Sequence, residues 1–189
     1  MLFRSVLQRS GAKVLVTVNG FLGTDYLDML HGASAEEPLT ALSTVVVARG
    51  TLGAGAIGWD EFCARAAQVD RDTALADAMA VRPDDLSDML FTSGTTGHPK
   101  GVRTTHGQNL RAFRTWADVV GLHAGDRYLV VNPFFHAFGY KAGILAALMC
   151  GATLLPHAVF DAAAVLERIE RDRKSTRLNS SHLVISYAV

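Results

Sequence analysis

Residues 88–105 read Asp-Met-Leu-Phe-Thr-Ser-Gly-Thr-Thr-Gly-His-Pro-Lys-Gly-Val-Arg-Thr-Thr, a hydrophobic run that breaks off into hydroxyls, glycines and one lysine. The run at 88–92 has the length and composition of a buried strand, and 101–105 reads as the next one. Between them the chain carries four hydroxyl side chains, Thr92, Ser93, Thr95 and Thr96, with Gly94, Gly97 and Lys100. Glycines let successive backbone N–H groups turn inward as a nest of partial positive charge. Hydroxyls donate to anionic oxygens without adding charge, and Lys100 supplies the full charge a polyphosphate needs. This is phosphate-binding chemistry at a strand terminus, where ligands of open α/β sheets gather. It differs from the common P-loop, because His98 and Pro99 separate Gly97 from Lys100 and a glycine follows the lysine.

Working outward, short β-rich runs alternate with amphipathic stretches. Towards the N-terminus we expect a helix end at 6–9 closed by Gly11, a buried strand at 13–18, a helix over 25–31 capped by Thr24, a strand at 43–48 and a helix from Asp60 to 67. The polar stretch 69–85 reads as loop. Downstream, a helix is expected over 106–120 with Leu110, Phe113, Ala117 and Val120 on its apolar face and Arg111, Arg114 and Asp118 outward. A strand at 127–132, a helix at 141–150, a strand at 152–156 and a helix at 161–171 capped by Asp161 follow. Strands separated by helices imply crossovers, so the expected class is α/β, a mostly parallel sheet with helices on both faces.

Composition bounds the partners. The 189 residues hold 18 Lys+Arg and 18 Asp+Glu, with no basic run, which argues against a nucleic-acid partner. The longest apolar stretch, 142–156, is broken by Gly143, Gly151 and Thr153 and falls short of the ~20 residues of a membrane span. Cys63 and Cys150 form neither a disulfide framework nor a metal-ligand spacing, so a reducing cytosol is the expected compartment. Gly53-Ala54-Gly55-Ala56-Ile57-Gly58 fits the G-x-G-x-x-G pattern, but four residues intervene after the strand, and the segment reads as a flexible loop rather than a dinucleotide site.

A second motif follows the 127–132 strand: Asn132-Pro133-Phe134-Phe135-His136-Ala137-Phe138-Gly139. Taken alone, a histidine between phenylalanines is more often packed or capping than functional. Together with the loop, however, it completes a resemblance. TSGTTGHPKG is similar to the signature loop of the AMP-forming acyl-CoA synthetase superfamily, and NPFFHAFG resembles that family's aromatic motif lining the acyl pocket. The order of elements resembles part of its large N-terminal domain. The resemblance implies ATP, Mg²⁺ and coenzyme A: a carboxylate attacks the α-phosphate to give acyl-AMP and pyrophosphate, then the coenzyme A thiol displaces AMP. By position, Ser93, Gly94, Thr95, Thr96, Gly97 and Lys100 would hold the β- and γ-phosphates and stabilise departing pyrophosphate. Thr92 would approach the Mg²⁺. Phe135, His136, Phe138 and Gly139 would shape the acyl pocket, and Lys100 and His136 would act in catalysis. The wording around the loop resembles actinobacterial ligases of fatty acids or of propionate side chains of degraded steroid rings. The absence of charge around the Phe-rich pocket suits an apolar acyl group. Two other readings stay open: a phosphate- or nucleotide-binding module without chemistry, and a peptide-synthetase adenylation domain.

Residues 1–5 and 172–189 resemble a translated sequencing adapter at both ends, and are expected to lie outside the fold, the latter as a disordered tail. The natural part would be 6–171, a truncated N-terminal domain. Setting aside Arg4, Arg173, Lys174, Arg177 and Asp172 leaves it 14 basic and 17 acidic residues, a net charge of −3. The family's acidic Mg²⁺ ligand, adenine site and C-terminal lysine would lie beyond it, so the chain alone is expected not to adenylate.

Overall fold

The computed structural model describes residues 2–32, 38–92, 100–171, 176–179 and 185–186. Two compact units emerge, residues 1–81 with 91–102, and residues 82–90 with 103–189.

In the first unit, helix α1 (Leu2–Ser10) precedes strand β1 (Val14–Val18), a 3₁₀ turn (Phe21–Gly23), helix α2 (Tyr26–His31), strand β2 (Thr44–Arg49), strand β3 (Ala56–Gly58) and helix α3 (Trp59–Ala64). Strands β1, β2 and β3 form a parallel sheet in that order. Val45 and Val47 of β2 join Leu7, Leu27 and Leu30 in one core. Val46, on the alternate face, is fully buried, and α3 packs against β2. Strand β1 departs from the expected buried strand: Val14, Val16 and Val18 are 46%, 51% and 38% exposed, because β1 is an edge whose second face no described element covers. Asp25, not Thr24, caps α2 by accepting from the Asp28 amide at 2.8 Å. Helix α3 starts at Trp59, one residue before the expected Asp60, with Gly58 in the cap position. The glycine pattern at 53–58 is not a loop throughout, since Ala56, Ile57 and Gly58 pair with β2.

Helix α1 also starts earlier than expected, at Leu2. Phe3 packs on the first core, its ring 6.0 Å from that of Tyr26, and the Arg4 guanidinium donates to the Leu30 carbonyl. The polar stretch read as loop contains helix α4 (Arg71–Ala80). Asp70 caps it through the Thr73 amide and hydroxyl, both at 2.8 Å. All its residues are exposed, so it has no apolar stripe for periodicity to detect.

The second unit is built on strand β6 (Arg127–Val130), which pairs in parallel with strand β7 (Thr153–Pro156) on one side and strand β8 (Thr176–Asn179) on the other. Strand β9 (Ile185–Ser186) extends β8 antiparallel. Of the expected tail 172–189, residues 176–179 and 185–186 are described, and they pair as strands; backbone pairing needs an extended partner rather than a particular sequence. Helix α5 (His106–Val120), a π-helix (Phe138–Leu145) and helix α6 (Ala146–Cys150) precede β7, and helix α7 (Ala162–Arg171) follows it. Ala117, Tyr128, Val130, Ala146 and Ala147 form the core on one face. Leu129, Val131, Leu155 and Val165 form it on the other. The α/β class therefore holds, with helices on both faces of this sheet, although the strands fall into separate sheets rather than one. In α5 the apolar side runs through Phe113, Trp116, Ala117 and Val120, and Leu110 lies 46% exposed.

Candidate phosphate-loop and acyl-pocket elements

Strand β4 (Leu86–Thr92) and strand β5 (Lys100–Thr105) form a two-stranded hairpin. Contacts run from Thr92 to Lys100 and from Asp88 to Thr104, so the strands are antiparallel, unlike the parallel pairing expected of neighbours in this class. The structure brings Thr92 and Lys100 together: the Thr92 hydroxyl donates to the Lys100 carbonyl at 3.5 Å. Both side chains are exposed, at the end of the hairpin from which the chain runs into 93–97. Ser93, Gly94, Thr95, Thr96 and Gly97 lie outside the described residues.

Phe135, His136, Phe138 and Gly139 also fall together, at the turn that starts the π-helix. The His136 amide donates to the Pro133 carbonyl at 3.0 Å, and the Tyr140 amide to the His136 carbonyl at 2.9 Å. The Phe138 amide lies 3.1 Å from His136 Nδ1. With Nδ1 accepting, this contact assigns the ring proton to Nε2. Phe138 packs edge-on against Trp116 with centroids 5.0 Å apart, whereas Phe135 is 85% exposed. Gly139 is buried, and a Cβ there would overlap the Pro133 carbonyl oxygen and sit 2.5 Å from that of Asn132. Only a glycine lets this turn close.

Residues 3–176 match the model of the AMP-binding enzyme family. The chain belongs to this family. Its relatives include two proteins that carry the name 3-[(3aS,4S,7aS)-7a-methyl-1,5-dioxo-octahydro-1H-inden-4-yl]propanoyl:CoA ligase. That of Mycobacterium tuberculosis is 49% identical over 168 residues, covering 89% of this chain and 32% of the relative. That of Rhodococcus jostii is 41% identical over 169 residues, covering 89% and 33%. Among solved structures, the inhibitor-bound N-terminal domain of FACL13 from Mycobacterium tuberculosis superposes with a TM-score of 0.62 at 28% identity, over 90% of this chain and 38% of that one. The chain spans about a third of the length of the curated relatives it matches.

Within this AMP-binding domain the structure shows one cluster that the motifs do not contain. Lys141, in the π-helix, is 5% exposed. Its Nζ donates to Asp88 Oδ1, Thr104 Oγ1 and Asn109 Oδ1, each at 2.9 Å. Asn109 Nδ2 donates to Asp88 Oδ2 at 2.6 Å, and the Thr104 hydroxyl to Asp88 Oδ1 at 2.9 Å. Burial pushes the Asp88 carboxyl up, but hydrogen bonds from Lys141, Thr104, Asn109 and Ser87 outweigh it and hold the group below its ordinary value. The sequence predicts no charge around the Phe-rich pocket; the segment after NPFFHAFG holds one lysine, which is buried and paired with a carboxylate. The signal for it was in the sequence: an aspartate in DMLFT and a lysine in FGYKAGIL each interrupt a stretch that must be buried, and buried charges occur in pairs.

Metal binding can be tested on the donor set. Mg²⁺ takes oxygen ligands and usually few from protein, and the exposed Thr92 hydroxyl fits as one such donor. No group of three or more His, Cys, Asp or Glu side chains arranged to hold a metal occurs among the described residues. Nor is any described helix long and apolar enough to cross a membrane.

Proposed function

We propose that the protein to which this domain belongs is an ATP-dependent, AMP-forming carboxylate–CoA ligase. The observation that carries the reading is the 49% identity over 168 residues to a propanoyl:CoA ligase, in a chain whose phosphate-loop strands form the hairpin described above. In the first half-reaction a carboxylate oxygen bonds to the α-phosphorus of ATP as the bond to the bridging oxygen breaks and pyrophosphate leaves. In the second, the thiol sulfur of coenzyme A bonds to the acyl carbon, AMP leaves, and the thiol proton passes to solvent.

Each residue's role follows from its chemistry. Lys100 and the hydroxyl and backbone donors of 93–97 bind the β- and γ-phosphates and meet the charge that grows on pyrophosphate. Thr92 would supply one oxygen to Mg²⁺, and the bound ion would neutralise phosphate charge. His136 donates from Nε2 to the carboxylate and orients it, while Phe135, Phe138 and Gly139 shape the pocket for the acyl group. The acyl substrate we propose is a propanoate side chain on a fused-ring skeleton, as in the name of the 49% identical relative, with a fatty acid as the second reading. Work in the cytoplasm belongs to the same proposal.

The test is ATP–pyrophosphate exchange by the full-length protein with a bicyclic propanoate. Lys100→Ala is expected to lower kcat by about 10²–10³, the usual effect of removing one preorganised charge-stabilising donor. Undiminished exchange would remove Lys100 from the site. No exchange by the unaltered protein with any carboxylate would sink the ligase reading.

A further inference from the structure

The Asp88–Lys141 cluster is closed. Lys141 spends its three N–H donors on Asp88, Thr104 and Asn109, and both Asp88 oxygens are occupied. The two side chains are 13% and 6% exposed. An ammonium with no spare donor and almost no solvent contact does not bind a substrate. Nor does stability account well for it, because a buried ion pair is often no better than a well-packed apolar pair of the same volume. What such a pair adds is geometry. A slip of one residue in either strand would turn Asp88 or Thr104 to the opposite face, leaving a buried charge without its partner.

The positions held in this way are specific. Asp88 lies four residues before Thr92 in β4, and Thr104 four residues after Lys100 in β5, roughly 13 Å along each strand. Asn109 lies in the first turns of α5, directly after β5. Lys141 is the fourth residue of the π-helix, two after Gly139 and five after His136. All four belong to the second unit, and a π-helical turn commonly marks a functional site. One cluster thus ties the strand entering the phosphate loop, the strand leaving it and the helix that begins at the aromatic motif.

We propose that Asp88 and Lys141 form a positioning couple for adenylation: without touching substrate, they fix the register of the loop hairpin against the π-helix. The proposal rests on the ligase reading for its effect on rate, and on the hairpin itself for its effect on structure.

The variants are Asp88→Asn, Lys141→Met and the doubly neutral Asp88→Asn/Lys141→Gln, made in the full-length protein and assayed well below their melting temperatures. Expected is a fall of about 10–100-fold in the kcat of ATP–pyrophosphate exchange, the scale of a 1 Å misplacement, with KM for ATP and carboxylate changed by less than about 3-fold. Amide hydrogen exchange at 86–92 and 100–105 is expected to quicken by about tenfold or more, as local opening becomes easier. The double variant separates positioning from stability, since it leaves no charge unpaired. A folded variant with the unaltered protein's kcat, or with its hairpin exchange unchanged, overturns the proposal. If the unaltered protein shows no pyrophosphate exchange, the ligase reading fails instead, and the amide exchange alone decides whether the couple holds the hairpin.

Discussion

Gly139 is the residue at which a single methyl group should be felt most directly. A Cβ there meets two backbone carbonyl oxygens, those of Pro133 and Asn132, and backbone cannot step aside as a side chain tip can. Gly139→Ala is therefore expected to cost about 1–3 kcal/mol, the range for overfilling a packed site, and to open the turn that holds His136. Thermal denaturation of the variant, with KM for the carboxylate measured alongside, checks both effects; an unchanged melting temperature would mean the turn relaxes freely. The residue scale also shows what a motif conveys and what it omits. Thr92, Lys100, His136 and Gly139 are proposed as site residues because hydroxyl, lysine, histidine and glycine in those strings suit phosphate and carboxylate chemistry. For Lys141 and Asp88 the strings show two charges in stretches that must be buried, but not that they pair, because that contact joins residues 53 positions apart.

At the scale of elements, the hairpin and the helices around it depend on that contact through a titratable group. Asp88 sits below its ordinary value of 3.8. A carboxyl held lower in the folded state stabilises the fold above its unfolded value, and that contribution is lost as pH falls through the folded one. Unfolding of the chain by denaturant is therefore expected to become easier from about pH 3.8 downward. Asp88→Asn should be less stable at neutral pH but show a shallower decline across the same window. Equal acid slopes in the two proteins would mean that another group governs the acid transition. Helix α5 was legible from end to end, because its boundaries are written in local chemistry: Thr105 and Gln108 cap one end reciprocally, at 3.3 and 3.0 Å, and Gly121 closes the other in a left-handed conformation. Helix α4 was missed for the opposite reason, since it buries nothing and leaves no period. The π-helix read as an ordinary helix starting at 141, because its early start depends on the close approach of Gly139 to the Pro133 turn.

For the whole molecule, the alternation of strands and helices conveyed the α/β class but not how the strands divide among sheets, since pairing is chosen by long-range contact. The clearest case is β6, whose four residues pair on both sides, with β7 and with β8. Strand β8 comes from the segment whose sequence resembles translated adapter, and it pairs through backbone, register Arg127 to Thr176 through Val130 to Asn179. The ladder thus takes what extended chain is offered. Tyr128, Leu129 and Val130 are almost wholly buried, so removing β8 would expose an apolar edge with unpaired N–H and C=O groups, the usual template for edge-to-edge association. A variant ending at Arg171 is accordingly expected to self-associate with rising concentration, while the 189-residue chain does so less under the same conditions. Replacing 172–189 with the corresponding segment of a full-length relative should suppress association as well, because the demand is for a strand and not for these side chains. Sedimentation velocity on the three proteins decides the matter. A strictly monomeric variant ending at Arg171 would mean that β6 does not need the partner the structure gives it. Association of the replaced chain would mean that the partner's side chains matter after all.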